Sequence, residues 1–341
     1  MKRSRSLTTC LAIAAVLASC SRIPEKTTTV RLGYFPNILH SQALIGMSRG
    51  DFEQAFEGKA KIDAKIFNAG PLAVEALFAG QLDICYIGPN PTINAWVKSH
   101  GAAVRIVAGA SSGGAAFIAR VGSKASTVDK LGSTILCSPQ VGNTQDVALR
   151  AFLSDKGLRT TEKGGSVTVQ SVDNPQIYDL FRLGKVDGAW VPEPWASRLV
   201  VEAGGRELVD ERSLWPEGRF STALVVVSTE FIKKHPDLLS TFIATHVEIT
   251  EWENRNPKEA EKIVGGAIAG LTGAVLSPEV LERAWSRMTA TWDPISSSLK
   301  RTADNAHKAG FLKDKVDFTG IFELSALDKA LEARGLQLPV E

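Results

Sequence analysis

The sequence predicts an α/β protein of two lobes, each built on a mixed, mainly parallel sheet. Three observations carry this expectation. Between Val30 and Val191 short apolar strands alternate with helical segments, the pattern of a largely parallel sheet covered on both faces. The chain has 341 residues, 44% of them hydrophobic and 22% charged, so it can bury a large core, and its length favours two lobes over one. One pattern also occurs twice, as Gly80-Gln-Leu-Asp-Ile-Cys-Tyr-Ile-Gly-Pro-Asn-Pro91 and as Gly184-Lys-Val-Asp-Gly-Ala-Trp-Val-Pro-Glu-Pro194. Each copy has a glycine and an aspartate before an apolar strand, then two prolines flanking one polar residue.

The first segment in order is a leader. Lys2, Arg3 and Arg5 precede the apolar run Cys10 to Leu17 and the small residues Ala18 and Ser19, a secretory signal whose apolar part is too short to span a bilayer. The ending Leu17-Ala18-Ser19-Cys20 resembles a bacterial lipobox, which implies removal of residues 1–19 and a diacylglycerol thioether on Cys20. Residues 20–29 then form a polar tether.

Val30 to Phe35 is the first strand, followed by a helix from Ser41, with Ala43, Leu44 and Met47 at helical spacing, which Gly50 stops. Lys61 to Phe67 alternates as a strand, and Pro71 opens a helix over Leu72 to Phe78 that ends at Gly80. Leu82 to Ile87 is a buried strand feeding a helix, with Asn90 as N-cap and Pro91 in the first helical position. Val104 to Gly109 and Ala115 to Ala119 are strands. The pattern then restarts: a strand through Ile135 to Cys137, a polar turn at Gly142, and a helix through Phe152. Val167 to Ser171 is a strand, Asn174 to Leu183 a helix stopped by Gly184, and Val186 to Val191 a strand entering a proline-opened helix at Pro192-Glu-Pro-Trp195. Thr222 to Ser228 is a fully apolar strand suited to a return crossing, and from Pro236 onward the chain reads as helical. The implied lobes are 30–114 with 223–341, and 115–222, with Asn90 and Glu193 on opposite walls of a cleft.

Several function classes fall away on composition. Without its leader the chain carries 36 basic against 37 acidic side chains, which leaves no basic field for nucleic acid. Cys85 and Cys137 lie in apolar strand-like runs and read as buried free thiols. His40, His100, His235, His246 and His307 show no zinc-type spacing, and no phosphate-cradling glycine loop occurs, so neither a metal nor a cofactor is expected. Gly109-Ala-Ser-Ser-Gly113 matches the spelling of a nucleophile elbow, which makes a secreted serine hydrolase using Ser111 a rival reading. That motif needs a helix directly after its serine, whereas a strand follows here, so no catalytic residue is assigned. Trp96, Trp190, Trp252 and Trp285 read as core residues.

Three stretches carry a family resemblance: Gly33-Tyr-Phe-Pro-Asn-Ile-Leu-His-Ser-Gln-Ala-Leu44, Gly80 to Pro91, and Asp187-Gly-Ala-Trp-Val-Pro-Glu-Pro-Trp195. They resemble the solute-binding proteins of ATP-driven importers, in the group similar to the aliphatic sulfonate, taurine and nitrate binders and to the thiamine-precursor proteins. The resemblance implies a two-lobed type II periplasmic-binding-protein fold with two crossover strands, near Ala115 to Arg120 and Thr222 to Val227, closing around a ligand. It implies ligand contacts at Asn37, His40, Gly88, Asn90, Glu193 and Trp195, joined by Thr144 and Gln145 at the polar helix start of the second lobe. Helix-end amides suit a sulfonate or carboxylate, and Trp195 suits an apolar tail. Glu193 stays open between a helix-start charge, a lobe-closing bridge and a contact to a cationic group. The implied partners are a small anionic solute, a membrane permease with its ATPase, and the membrane through lipidated Cys20, for an exported, extracytoplasmic monomer. A ligand sensor of the same fold is the alternative.

Overall fold

A computed structural model describes residues 28–339, so the leader and Cys20 lie outside the described residues. The chain starts with β1 (Thr28–Tyr34), a single-turn 3-10 helix at Ile38–His40, and α1 (Ser41–Arg49), which Gly50 ends at φ 76° in the left-handed region where glycine is favoured. α2 (Asp51–Ala55), β2 (Ala60–Ile66), α3 (Gly70–Phe78), β3 (Ile84–Ile87) and α4 (Pro89–Lys98) follow. β4 (Val104–Gly113) then runs through the pair Gly113-Gly114, at φ 76° and 74°, into β5 (Ala115–Arg120). Next come β6 (Ile135–Pro139), α5 (Thr144–Asp155), β7 (Thr168–Val172), α6 (Asn174–Arg182), β8 (Gly188–Pro192), α7 (Trp195–Val201) and β9 (Gly205–Asp210). The remainder is β10 (Ser221–Ser228), α8 (Thr229–Lys234), α9 (Pro236–Arg255), α10 (Pro257–Thr272), α11 (Pro278–Trp285), β11 (Met288–Ala290), α12 (Ser296–Ala309) and α13 (Ser325–Glu332).

These strands form two sheets, ordered β11-β4-β10-β3-β1-β2 and β7-β6-β8-β5-β9. β1 pairs parallel with both β2 and β3, and β6 pairs parallel with both β7 and β8, so the two halves share one local order. In each sheet an inner strand runs against both neighbours, β10 between β3 and β4 and β5 between β8 and β9, and in the first sheet β4 does so too, between β10 and β11. β10 and β5 are apolar along their length because both faces are covered. Val225 and Val227 of β10 face the cluster containing Phe52 and Phe242, while Leu224 and Val226 face the one containing Trp96 and Leu299. Phe117 and Ala119 of β5 join Trp190 and Leu149, and Ala116 and Ile118 join Val191 and Phe181.

Three local expectations change. α4 begins at Pro89 with Gly88 as its N-cap, and Asn90 lies inside the first turn. Proline at the first helical position loses no bond, so Pro89 starts the helix before Asn90 can cap it. α7 begins only at Trp195, with Pro194 in the cap position. The C-terminal region is mostly helical, but Met288–Ala290 pairs antiparallel with β4 at Ser111–Gly113 and extends the first sheet.

Candidate functional site

The two sheets point their strand-to-helix corners at each other, and a cavity of about 380 Å³ lies between them. Six corners reach it: the Phe35–His40 turn, Phe67 and Asn68 before α3, Gly88 before α4, Asn143–Gln145 at the start of α5, Asn174 and Pro175 at the start of α6, and Pro192–Trp195 before α7. The helix starts among them turn the positive ends of their dipoles to the cavity, although Pro89, Pro91 and Pro175 have no N–H and the Leu39, Thr144 and Ser197 amides are taken by Asn37, Asn143 and Glu193. The convergence therefore favours negative charge in the cavity.

On the first wall, Asn37 Oδ1 accepts the Leu39 N–H at 2.9 Å and so caps the 3-10 turn. His40 packs against Phe35 with centroids 4.6 Å apart and the rings tilted by 33°, and its Nδ1 accepts the Phe35 N–H at 3.1 Å. Burial lowers the His40 pKa to about 3, so the ring is neutral and its proton sits on Nε2, which makes that nitrogen a donor. On the second wall, Asn143 caps α5 by accepting the Thr144 N–H at 2.8 Å. The Thr144 hydroxyl is buried without a protein partner, as is Oδ1 of Asn174. The Arg198 guanidinium lies over Tyr178 at 4.3 Å and over Trp195 at 4.8 Å, and Glu202 Oε2 accepts its Nε–H at 2.9 Å. That arrangement fixes both aromatic rings and offsets the arginine charge.

Of the residues expected from the sequence, Asn37, His40, Gly88, Thr144, Gln145 and Trp195 line the cavity. Asn90 and Glu193 are not among its lining residues. Asn90 is buried in α4 with neither amide atom partnered in the protein. Glu193 is fully buried: its Oε2 accepts the Ser197 N–H at 2.9 Å, and Oε1 lies 3.5 Å from Arg287 Nε. Burial pushes its carboxyl up to about 7, opposed by the Ser197 amide and the Arg287 charge. Arg287, from the segment leading into β11, also meets Glu207 at 2.6 Å and Asp210 at 3.0 Å in β9. Of the roles left open for Glu193, this geometry fits a bridge between the segments of the two sheets.

Residues that sequence reasoning missed also line the cavity, among them Asp179, which brings a carboxylate to it. Tyr178 and Arg198 stand four and three residues after Asn174 and Trp195, the helical spacing that returns a side chain to one face, so a signal for them existed. Ile268, Thr272, Ala274 and Leu276, at and beyond the end of α10, are distant in sequence and carry no such signal.

The rival hydrolase residues are placed elsewhere. Ser111 is buried near the C-terminal end of β4, its hydroxyl 3.2 Å from that of Thr222, and the strand continues past it without an elbow. His246 hydrogen-bonds the Gly109 carbonyl at 2.9 Å, not Ser111. Cys85 and Cys137 are buried free thiols, and burial pushes the Cys137 thiol up to about 12. Among the described residues no cluster of histidine, cysteine and carboxylates could hold a metal, and no helix is long and apolar enough to cross a membrane.

Comparison with known proteins agrees with this geometry. The NMT1-like family model matches residues 23–268. The taurine-binding periplasmic protein of Escherichia coli is 26% identical over 231 residues, covering 67% of this chain and 69% of that protein. The alkanesulfonate-binding protein SsuA of Xanthomonas axonopodis pv. citri, solved with MOPS bound, superposes with a TM-score of 0.73 at 21% identity over 88% of this chain and 100% of that one. The periplasmic nitrate-binding protein NrtA of Synechocystis PCC 6803 gives 0.73 at 15% identity over 90% of this chain and 89% of its own. At these identities the two structures show a shared fold, that of periplasmic binding proteins.

Proposed function

The chain belongs to the NMT1-like family, and on that premise we propose that it is the solute-binding component of an ABC importer. It captures a small anionic organic solute between its lobes and delivers it to a membrane permease driven by a separate ATPase. The lobes in this reading are residues 30–114 with 223–341, and 115–222. The observation that carries it is the convergence of helix starts on one cavity, where the buried Thr144 hydroxyl has a hydrogen bond to donate. Relatives that bind taurine, alkanesulfonate and nitrate support an anionic head group. The protein binds without catalysis and works as an exported monomer. Its leader ends in a lipobox, so the mature chain is held at the membrane by acyl groups on Cys20.

A thermal-shift screen of the purified protein tests the binding reading. A ligand at a hundred times its Kd adds about 2.7 kcal/mol of stability. Sulfonates, nitrate or carboxylates are expected to raise the melting temperature; a rise with amines alone would overturn the anion reading. Delivery is tested by uptake: cells lacking this chain but retaining the permease and ATPase should lose import of the solute so identified. Radiolabelled palmitate should enter the wild type and not C20A, and equal labelling of both would remove the anchor.

A further inference from the structure

We propose that the solute of this cleft is an organic anion with a flat, apolar ring as its body, held against aromatic walls while its head group meets the helix starts. The inference rests on the anion-binding reading above and narrows its ligand class.

Size is the first argument. A cavity of about 380 Å³ has room for about a dozen waters at roughly 30 Å³ each, so nitrate or taurine would leave most of it wet. The second argument is the shape of the walls. On one side Phe35 lies against the neutral His40 ring at 4.6 Å; on the other, Tyr178 and Trp195 are clamped by the Arg198 guanidinium at 4.3 and 4.8 Å. Aromatic surfaces fixed by such contacts cost little ordering when a ligand arrives, and they favour a flat partner over a flexible chain. Arg198 gives its Nε–H to Glu202 at 2.9 Å, which holds the guanidinium against both rings.

The third argument comes from the end of α10. Ile268, Ala274 and Leu276 add an apolar surface to the same cavity, remote from the polar corner at Asn143–Gln145 in sequence and chemistry. The site is thus amphipathic: hydrogen-bond donors at the helix starts, and rings and aliphatic side chains around the rest. A purely polar solute would leave that apolar surface in contact with trapped water.

Calorimetry on the purified protein tests this with benzenesulfonate and benzoate against ethanesulfonate, acetate and taurine. The aromatic anions are expected to bind at least tenfold more tightly than their aliphatic counterparts, and W195A should shrink that ratio. A274W, at a partly exposed position on the cavity wall, should weaken benzenesulfonate at least tenfold, and a melting temperature equal to that of the wild type reports a folded protein. If ethanesulfonate or taurine binds as tightly as benzenesulfonate, the ring proposal falls while the anion reading stands. If no anion of either kind binds, both fall.

Discussion

His40 is a histidine whose position removes it from ordinary titration. Its burial and the Phe35 N–H on Nδ1 keep the ring neutral down to about pH 3. With the Glu193 carboxyl, raised to about 7, removed as E193Q, ethanesulfonate affinity should be the same within about twofold at pH 5.5 and 7.5 by calorimetry; a tenfold gain at pH 5.5 in that variant would reveal an imidazolium. His246 shows the same logic in the core. Its Nε2–H donates to the Gly109 carbonyl, so Nδ1 accepts from the Tyr86 hydroxyl at 2.8 Å, and burial lowers its pKa to about 4. Glu253 of α9 is the opposite case, its buried carboxyl pushed up to about 8. A raised carboxyl pKa means that the folded state binds its proton more tightly than the unfolded one. Its stabilising contribution is full below about pH 4.5 and is lost as pH rises towards 8. The two lowered histidines act in the other sense, losing stability only as pH falls below 6.5. Between pH 6.5 and 8 the raised carboxyls of Glu253, at about 8, and of Glu193 and Glu211, both at about 7, set the slope together, and urea unfolding should show stability falling with pH. E253Q should reduce that slope, most of all between pH 7 and 8 where Glu253 alone still titrates, and be more stable than wild type at pH 7.5, on the order of 2 kcal/mol; an unchanged slope there would count against a neutral Glu253.

The repeated Gly-x-Φ-Asp pattern has a mechanical explanation at the level of elements. Gly80 and Gly184 each end a helix at positive φ, 64° and 70°. In both copies two N–H groups return to the last turn, Gly80 to Leu77 and Gln81 to Ala76, then Gly184 to Phe181 and Lys185 to Leu180. The aspartate three residues on then fastens the next strand to its neighbour: Asp83 Oδ2 accepts the Arg31 N–H at 2.8 Å, and Asp187 Oδ2 accepts the Ile135 N–H at 2.9 Å. Asp83 also takes the Arg31 guanidinium, Nε at 2.8 Å, so the first copy is the more heavily bonded. D83A and D187A should each cost about 1–3 kcal/mol by thermal denaturation, D83A more, because each leaves a strand N–H unpaired. Identical melts to wild type would show that the motif is ornamental. The similarity of the two copies was legible in the sequence, and so was the helical spacing that brings Tyr178 and Arg198 to the cavity. The cap of α4 was misread because two prolines stand within the first turn and spelling alone does not say which one opens the helix.

The whole molecule brings its halves into contact across the cleft. A Cβ on Gly88 would lie 2.4 Å from Thr144 Oγ1, which belongs to the other sheet's first helix. Gly88 itself has φ −69°, a conformation alanine adopts freely, so G88A should fold normally while holding the lobes apart. We expect its melting temperature to stay close to wild type, its anion affinity to fall at least tenfold, and ligand-induced compaction in small-angle scattering to disappear. The double variant G88A T144A should recover part of the compaction, and its failure to do so would locate the closing contact elsewhere. The sequence by itself determined the alternation of strands and helices, the two matching halves and most of the corner residues, because these follow from local periodicity, proline and glycine chemistry, and a repeated pattern. Only the tertiary structure decided which side chains at those corners line the cavity. Glu193 turned to Ser197 and Arg287, Asn90 slipped into the first turn of α4, and the 268–276 segment arrived from far along the chain. Side-chain direction at a helix start depends on where the helix begins and on what packs behind it, and both are set by contacts between residues that no local pattern relates.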